Sequence, residues 1–435
     1  MKRAMAVAAL AAILACLAPA ISAYGDDWPQ FRGPNRDGKS AETGLLKSWP
    51  EGGPKLLWTA KGCGEGYGSP VIVGSAIYII GDVNGEAMLT NLDTEGQHKG
   101  QVAFGQANTK DPNHFNGGRS TPTFCGSAAD TSATIYVGGA LGEVACFDAK
   151  TFHKQWVVNI KEKFHGAMPH WEYAESPLVD GEKVICTPGG PDASIVALDR
   201  KTGKTVWTSK GLSDPAGYAS CVKMTVDKVP MILAMTAKEL VGVSAKTGQV
   251  LWHWDRPANG IANAPSPVFL GNRVFEATGY RTGGGAVDLK VTDNGVTATP
   301  AWDSKDMICH HGGYVLVDGF IYGNNDAAGW SCLDFKTGEM KWKDLGVGKG
   351  SVIYADGMLY TVSENAKARE IGLVQASPEG LKLVSKFALP EGGQGAVWAH
   401  PAIANGRLYI RHGDVLFCYD IKGAGGEKPV EKPAK

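Results

Sequence analysis

The chain has 435 residues and a formal net charge of −1, from 43 basic and 44 acidic side chains. Lysine and arginine are scattered among aspartate and glutamate instead of forming runs, so no DNA or RNA partner is expected. The 58 glycines, together with the lack of a long apolar helical stripe, predict many short strands joined by tight turns.

The N-terminus has the pattern of an export signal. Lys2 and Arg3 precede an apolar run over residues 4–18, and small residues follow up to Ala23. This order predicts a signal peptide over residues 1–23 and an exported protein, periplasmic or extracellular. The alternative is lipoprotein processing at Cys16, which would anchor the chain to a membrane. No later segment approaches the about 20 apolar residues of a membrane span, so no transmembrane segment is expected.

Residues 24–53 form an N-terminal segment, which we expect to fold over the outside of the domain that follows. That domain covers residues 54–422 and contains a repeated pattern. In each repeat an apolar residue, a Gly or Asp turn and a β-branched or aromatic pair predict a hairpin, as in residues 317–322. A second hairpin follows and ends in a tryptophan, most clearly in residues 196–207 and 332–342.

A third marker, Ser-Pro or a relative of it, opens the first strand of each unit. The eight openings are Ser69-Pro70, Thr121-Pro122, Ser176-Pro177, Ser220-Cys221, Ser266-Pro267, Gly313-Tyr314, Ser351-Val352 and His400-Pro401. Four-stranded units at this spacing predict an all-β fold, an eight-bladed β-propeller of four-stranded antiparallel blades.

The two ends of the repeat predict how the ring closes. The last unit stops after three strands, at residues 415–420, whereas an orphan strand at residues 54–58 precedes the first unit. We therefore expect this N-terminal strand to complete the eighth blade, which leaves no open sheet edge. Residues 423–435 are rich in Gly, Lys and Pro and are predicted to be a disordered tail.

The second hairpin carries a family resemblance. Its clearest copy contains Ala197-Leu198-Asp199, Thr202-Gly203-Lys204 and Trp207, and resembles the tryptophan-docking repeat of pyrroloquinoline-quinone (PQQ) propellers. These include the quinoprotein alcohol dehydrogenases and the propeller lipoprotein of the bacterial outer-membrane assembly machine. The stretch from Trp28 to Asn35 also resembles the start of exported planctomycete-type propellers. The resemblance implies that Trp156, Trp207, Trp252, Trp302 and Trp342 pack between adjacent blades.

The resemblance raises the question of a cofactor. Quinoprotein dehydrogenases of this family hold PQQ under a disulfide between adjacent cysteines, with calcium bound by Glu, Asn and Asp. This sequence has no adjacent cysteine pair, and its blades are close to minimal length. Cys146, Cys332 and Cys418 occupy the repeat position of Ala197, which predicts buried small side chains without redox chemistry.

The candidate site residues lie in or near the loops just before the blade openings. Equivalent loops of a closed ring meet at one mouth of the central channel, so we expect a small-molecule or anion site there. The candidates are His114, Asn116, Arg119, His170, Trp171, Glu172, Tyr218, Asn263, His310, His311, Lys349, Trp398 and His400. The competing interpretation is that these residues are the ordinary polar rim of a propeller.

Three functions are compatible with these patterns. The first is a monomeric, non-catalytic scaffold of the cell envelope that binds a protein, a glycan or a small molecule in its funnel. The second is a PQQ-dependent oxidoreductase acting on alcohols or sugars, with quinone and calcium held through Glu172 and Asn263. The third, a polysaccharide hydrolase or lyase, rests only on the grouping of His, Glu and Lys. The missing cysteine pair favours the first.

Overall fold

The structure is a computed structural model that describes residues 27–107, 115–326 and 329–423. Within these ranges the strands form eight sheets in a ring, an eight-bladed β-propeller. Each blade has four antiparallel strands, and one sheet is extended by a short parallel strand from the N-terminal segment. The predicted fold class is thereby confirmed. The predicted signal peptide, Cys16 and tail residues 424–435 lie outside the described ranges.

The strands follow one another blade by blade. Two short strands come first, β1 (Lys39–Ser40) and β2 (Lys55–Ala60). Blades 1 and 2 contain β3 (Val71–Val73), β4 (Ala76–Val83), β5 (Glu86–Asp93), β6 (His98–Gln106), β7 (Thr123–Cys125), β8 (Thr134–Gly138), β9 (Glu143–Asp148) and β10 (Lys154–Asn159). After a single turn of helix, α1 (Ile160–Lys163), blades 3 and 4 contain β11 (Leu178–Asp180), β12 (Lys183–Cys186), β13 (Val196–Asp199), β14 (Thr205–Thr208), β15 (Val222–Val226), β16 (Val229–Met235), β17 (Leu240–Ser244) and β18 (Val250–Trp254).

The second half of the ring repeats this arrangement. Blades 5 and 6 contain β19 (Val268–Leu270), β20 (Arg273–Thr278), β21 (Gly283–Thr292), β22 (Gly295–Ser304), β23 (Tyr314–Val317), β24 (Phe320–Asn325), β25 (Gly329–Asp334) and β26 (Met340–Asp344). Blade 7 contains β27 (Gly350–Ala355), β28 (Met358–Ser363), β29 (Glu370–Gln375) and β30 (Lys382–Ala388), and blade 8 contains β31 (Ala402–Ala404), β32 (Arg407–His412) and β33 (Val415–Asp420).

Strand β2 supplies the missing fourth strand of blade 8. It pairs antiparallel with β33, with Trp58 opposite Cys418. The predicted closure of the ring by an N-terminal strand is therefore confirmed. This pairing joins the first and last parts of the propeller through backbone hydrogen bonds.

The first strand of each blade lies at the axis of the ring. First strands of neighbouring blades contact each other, as β3 does with β7 and β23 with β27. All three residues of β3 are buried, whereas four of the five residues of the fourth strand β26 are exposed. The blade openings are therefore at one end of the central channel, and the turns after the first strands are at the other.

The first hairpins use the turn chemistry expected from their sequences. In Asp318-Gly319 both residues have positive φ, 49° and 82°, and the same holds for Asn405-Gly406, with 58° and 70°. Two consecutive positive φ angles are typical of the two-residue type I′ hairpin turn, whose twist matches that of the strands.

The second hairpins explain the tryptophan-docking repeat. The Asp334 carboxylate accepts hydrogen bonds from the backbone amides of Lys336 and Thr337, at 2.8 and 2.9 Å, and so orders the turn. Gly338 has φ +76°, and a Cβ there would lie 2.5 Å from the ring of Trp302 in the preceding blade. The Trp302 Nε1–H donates to the Phe335 carbonyl at 3.2 Å. The tryptophan thus docks on the glycine turn of the next blade.

Other blades repeat this contact, with two variations. Trp58, Trp156 and Trp207 lie in the same way against Gly96, Gly203 and Gly248. Trp342 donates its Nε1–H to the Ser377 carbonyl at 2.8 Å. Trp252 instead directs its Nε1–H to the Met231 sulfur at 3.3 Å, within the core around blades 4 and 5.

The cysteines have the structural role that the repeat predicts. The eight cysteines in the described ranges are free thiols. Cys146, Cys332 and Cys418 are fully buried. Burial raises the pKa of all three thiols to about 12, so they remain protonated at neutral pH.

The N-terminal segment differs from its prediction. We call residues 28–40 the axial plug, because they contact the first strands of several blades instead of the outside of the ring. The Trp28 amide donates to the Ile72 carbonyl at 2.8 Å in blade 1, and β1 pairs parallel with β27 in blade 7. Trp28 is only 1% exposed. The expectation of an outside position is therefore wrong for these residues.

Two buried arginines hold the axial plug in the channel. Arg36 donates to the Ser176 and Pro177 carbonyls of blade 3, at 2.8 and 3.2 Å. Arg32 donates to the Tyr314 carbonyl of blade 6. The free edge of a first strand presents unpaired backbone groups, and the guanidinium forks satisfy some of them from inside the channel.

Candidate functional site

A cavity of about 300 Å³ lies on the axis where the blade-opening loops converge. We call it the axial cup. Seven aromatic rings line it: Phe31, Tyr67, Phe115, Trp171, Tyr218, Tyr280 and Trp398. Three imidazoles, one guanidinium and several small residues complete it: His310, His311, His400, Arg119, Ser69, Thr121, Ser220, Ala174, Ala262 and Ala264. The axial plug lies deeper along the same axis and contributes Phe31 to the inner end.

The repeat explains which residues reach the cup. The position two residues before each blade-opening marker holds, in chain order, Tyr67, Arg119, Ala174, Tyr218, Ala264, His311, Lys349 and Trp398. All of these except Lys349 line the cup. One position in each blade thus points to the axis, because the blades are related by rotation about it.

The marker itself has a structural role. The Ser69 amide donates to the Thr121 hydroxyl, the Thr121 amide to the Ser176 hydroxyl, and the Ser176 amide to the Ser220 hydroxyl, each at 2.9 Å. This belt of hydrogen bonds links the openings of blades 1 to 4. Its buried hydroxyl groups hold neighbouring blades in register around the cup.

The one guanidinium in the cup wall has a carboxylate partner. Arg119 Nη1 lies 2.8 Å from Glu172 Oε2, and Arg119 also donates to the Phe115 carbonyl at 2.8 Å. Glu172 is buried and has a φ of +59°, in the left-handed region. The carboxylate of Glu172 thus compensates the charge of the guanidinium in the cup wall.

His310 is held between Lys349 and Tyr280. The Lys349 ammonium donates to His310 Nδ1 at 2.7 Å, and His310 Nε2 lies 3.0 Å from the Tyr280 oxygen. Since an ammonium group only donates, the neutral imidazole carries its proton on Nε2 and donates it to Tyr280. The Tyr280 hydroxyl therefore keeps its own hydrogen and one lone pair for a further partner.

The cup imidazoles are neutral at physiological pH. Burial, aided by the Lys349 charge, lowers the pKa of His310 to about 4. Burial, aided by Arg32, lowers that of His400 to about 3. Burial also lowers the pKa of His311 well below its usual value. An uncompensated imidazolium would be costly in this ring-lined site.

The structure brings together most of the predicted site residues. Seven of them line the cup: Arg119, Trp171, Tyr218, His310, His311, Trp398 and His400. Glu172 and Lys349 contact lining residues, and the His170 ring lies 4.8 Å from that of Trp171. His114 lies outside the described residues.

Two predicted residues have other positions. Asn116 lines an adjoining polar cavity of about 720 Å³ that also includes Asp82 and Asp414. The Asn263 side chain donates to the Thr236 carbonyl at 3.0 Å and accepts from the Asn259 amide at 2.9 Å. Asn263 therefore supports a loop beside the cup.

Four cup aromatics were not among the predicted site residues. Tyr67 occupies the same repeat position as Tyr218, so a blade alignment would have found it. Phe115 and Tyr280 belong to loops of irregular length, and Phe31 belongs to the axial plug, which has no repeat. Nothing in the sequence around these three residues indicated that their side chains line the cup.

The calcium and quinone hypothesis does not fit these residues. Glu172 binds Arg119, and the Asn263 amide is engaged by backbone groups. Among the residues described, there is no group of three or more His, Cys, Asp or Glu side chains arranged to hold a metal ion. PQQ carries three carboxylates, which require cationic or hydrogen-bonding partners; Arg119 and Lys349 already have carboxylate partners.

Comparison with known proteins places the chain in a family. A family model described as outer membrane protein assembly factor BamB matches residues 86–344, more than half of the chain. The chain belongs to this family of PQQ-like repeat propellers. It is also similar to an outer membrane protein assembly factor BamB of Burkholderia pseudomallei, with 24% identity over 325 residues, 71% of this chain and 74% of the relative.

Solved structures agree on the fold. BamB from Moraxella catarrhalis matches with a TM-score of 0.58 and 14% identity, over 84% of this chain and 99% of the other. The quinohemoprotein alcohol dehydrogenase from Comamonas testosteroni matches with a TM-score of 0.60 and 13% identity, over 95% and 82%. At such low identities these likenesses show the propeller fold and carry no assignment of activity. In the described ranges, no helix has the length and apolar character of a membrane span.

Proposed function

We propose that this protein is an exported, non-catalytic binding scaffold of the bacterial cell envelope, monomeric, which holds a partner protein on the face that bears the axial cup. The observation that carries the proposal is the cup itself, a ring-lined and charge-compensated cavity at the convergence of the blade-opening loops. Concave, mostly apolar sites with a few directed polar groups are typical binding sites. The name of the BamB relatives, outer membrane protein assembly factor, supports a role in the envelope.

The arrangement of the polar groups favours binding over catalysis. Glu172 is held by Arg119, and His310 Nδ1 is held by Lys349. A general base needs an accessible lone pair and a pKa near the working pH. The low pKa of His310 and His400 makes both weak bases at neutral pH.

Site-specific photo-crosslinking in the natural host tests the scaffold role. Phe115 lies at the cup and is 45% exposed, whereas Leu270 is 59% exposed and precedes the turn at the opposite end of the channel. We expect benzoylphenylalanine at position 115 to capture a defined envelope protein, and the same residue at position 270 to capture none of it. Equal capture from both positions, or none from position 115, would contradict the proposal.

Fractionation and an oxidation assay test the remaining parts. We expect the mature protein in the envelope or extracellular fraction, and a monomer by light scattering. With added PQQ and calcium and an artificial electron acceptor, we expect no oxidation of alcohols or aldose sugars above a protein-free control. Oxidation that depends on the protein would refute the non-catalytic assignment.

A further inference from the structure

We infer that the axial cup receives one uncharged aromatic side chain of a partner polypeptide, a tryptophan or a tyrosine. This inference rests on the proposed scaffold function and names the chemistry by which the cup would recognise its partner.

The arrangement of rings is the first argument. The Trp398 ring centroid lies 5.0 Å from that of Tyr67, 4.8 Å from Phe115 and 5.4 Å from His311. A second group of rings, Trp171 and Tyr218 with centroids 6.0 Å apart, also lines the cup. Aromatic pairs at such distances stabilise each other beyond simple burial, so a flat ring entering the cup would find stacking and edge partners.

Charge is the second argument. The positive charge of Arg119 is matched by Glu172 at 2.8 Å, and Lys349 lies 3.2 Å from Asp326 and 3.5 Å from Glu364. A cationic side chain would meet Arg119 in the wall, and an anionic one would have to compete with Glu172. An uncharged ring pays neither cost.

The hydroxyl group of Tyr280 is the third argument. The Tyr280 hydroxyl accepts from His310 at 3.0 Å and retains one hydrogen and one lone pair. It can therefore accept from an indole N–H or exchange a hydrogen bond with a phenol hydroxyl. Buried tryptophan and tyrosine side chains usually satisfy their polar atom in this way.

The size and rim of the cup distinguish a polypeptide from a glycan. A volume of about 300 Å³ is at the lower end for ligand cavities, which suits one side chain. Phe115 and Ile261 lie in two of the loops that precede blade openings and are 45% and 53% exposed. They offer apolar contact to the chain that flanks an inserted ring. A sugar would need several hydrogen-bonding partners, whereas seven of the side chains that line the cup are aromatic rings.

Uncharged blocked peptides provide the test on the full chain. We expect acetyl-Gly-Trp-Gly-amide to bind at least tenfold more tightly than acetyl-Gly-Leu-Gly-amide, measured by calorimetry, with saturation transfer to the indole protons in NMR. Acetyl-Gly-Tyr-Gly-amide should bind comparably to the Trp peptide. Methyl glucoside and PQQ should not compete.

Two variants locate the binding. Ala264 lines the cup and Leu270 lies at the opposite end of the channel, so Ala264→Trp fills the cup while Leu270→Trp adds the same ring elsewhere. We expect at least a tenfold loss of Trp-peptide affinity in the first and no change in the second. If circular dichroism shows that Ala264→Trp does not fold, Trp398→Ala, which removes part of the wall, serves as the second cup variant.

Several results would overturn the inference: equal affinity for the Leu and Trp peptides, competition by methyl glucoside or PQQ, or full binding by the cup variants. The outcome is separable from that of the scaffold proposal. Capture of an envelope protein from position 115 without Trp-peptide binding refutes this inference alone, whereas peptide binding without any captured partner refutes the scaffold role.

Discussion

Arg119 and Glu172 form an ion pair at 2.8 Å between the loops that open blades 2 and 3, and their side chains are only 12% and 4% exposed. Because of this pair, a neighbouring carboxylate compensates the charge of the guanidinium in a cavity lined by seven aromatic rings. The charge of Arg119 is therefore compensated between two adjacent loops and not within one.

Glu172→Gln should change both stability and ligand preference. Without the carboxylate, Arg119 keeps its charge in a poorly solvated wall, and we expect the free energy of unfolding to fall by about 1–3 kcal/mol in urea titrations. The cup should then bind benzoate at least fivefold more tightly than the wild type. The double variant Arg119→Met/Glu172→Gln, which removes both charges, should lose this gain. Equal benzoate affinity in wild type and Glu172→Gln would argue against a charge-compensated cup.

The tryptophan-docking turn allows a matched pair of glycine variants. Gly338 and Gly357 have φ of +76° and +79°, but only Gly338 has a ring, that of Trp302, within 4 Å of the position of a Cβ. Gly357→Ala should cost about 1 kcal/mol for the left-handed backbone alone. Gly338→Ala should cost about 1–3 kcal/mol more, because the methyl group overpacks the ring. Urea unfolding measures both, and equal losses would show that the ring contact has no energetic weight.

A buried carboxyl beside the axial plug should make stability depend on pH. Burial raises the pKa of Glu175 to about 7, against the opposing hydrogen bonds of Thr187 and the charge of Arg36. Between pH 4.5 and about 7 the folded protein holds a proton that the unfolded chain has released, so this group's contribution to stability declines as pH rises through that range.

Glu175→Gln removes that titration and keeps an acceptor for the Thr187 amide. The unfolding free energy of the variant minus that of the wild type should increase from pH 5 to pH 8, by on the order of a few kcal/mol. Urea midpoints of both proteins at the two pH values measure this difference. The contributions of the other titrating groups cancel, because both proteins contain them. A constant difference would mean that Glu175 is ionised in the folded state throughout.

Trp28→Ala tests the position of the axial plug. Trp28 is 1% exposed, and a Cβ at Gly33 would lie 2.9 Å from its ring, so the side chain is closely packed. We expect a loss of about 3–5 kcal/mol in unfolding free energy and a weaker affinity for the Trp peptide, since Phe31 of the same segment lines the cup. Trp342→Ala, at a half-buried ring on the outer strand β26, should lower stability without changing peptide affinity.

Ligand binding in the cup should be nearly independent of pH. The pKa of His310 is about 4 and that of His400 about 3 because both rings are buried, so neither gains a proton above pH 5.5. The affinity for the Trp peptide should change less than twofold between pH 5.5 and pH 8 by calorimetry. A steep loss at pH 5.5 would show that an imidazole charges in the cup.

The repeat made much of the fold predictable. Each blade has its own turn and strand formers, so local chemistry at Asp318-Gly319 or Asp334 is enough to place a hairpin. The count of eight blades, the closing strand and the buried cysteines follow from comparing one unit with the next. The convergence of the opening loops follows from ring closure, and it placed seven of the predicted residues in the cup.

Contacts between residues without a repeat were not predictable. The pairing of Arg119 with Glu172 depends on the angle between two loops, and the turn of Asn263 toward Thr236 depends on a local hydrogen bond. Both residues looked like candidate ligands in the sequence, because a residue type does not reveal which neighbour satisfies it.

The sequence alone determined a closed ring of eight blades and the end of the channel where polar and aromatic side chains meet, because periodic local signals specify a periodic fold. Only the tertiary structure decided that residues 28–40 enter the channel and that Glu172 compensates the charge of Arg119 in the cup wall. Arg32 and Arg36 donate to backbone carbonyls of blades far away in the chain. Every residue carries such a carbonyl, so no sequence pattern marks the ones that folding leaves unpaired at the axis.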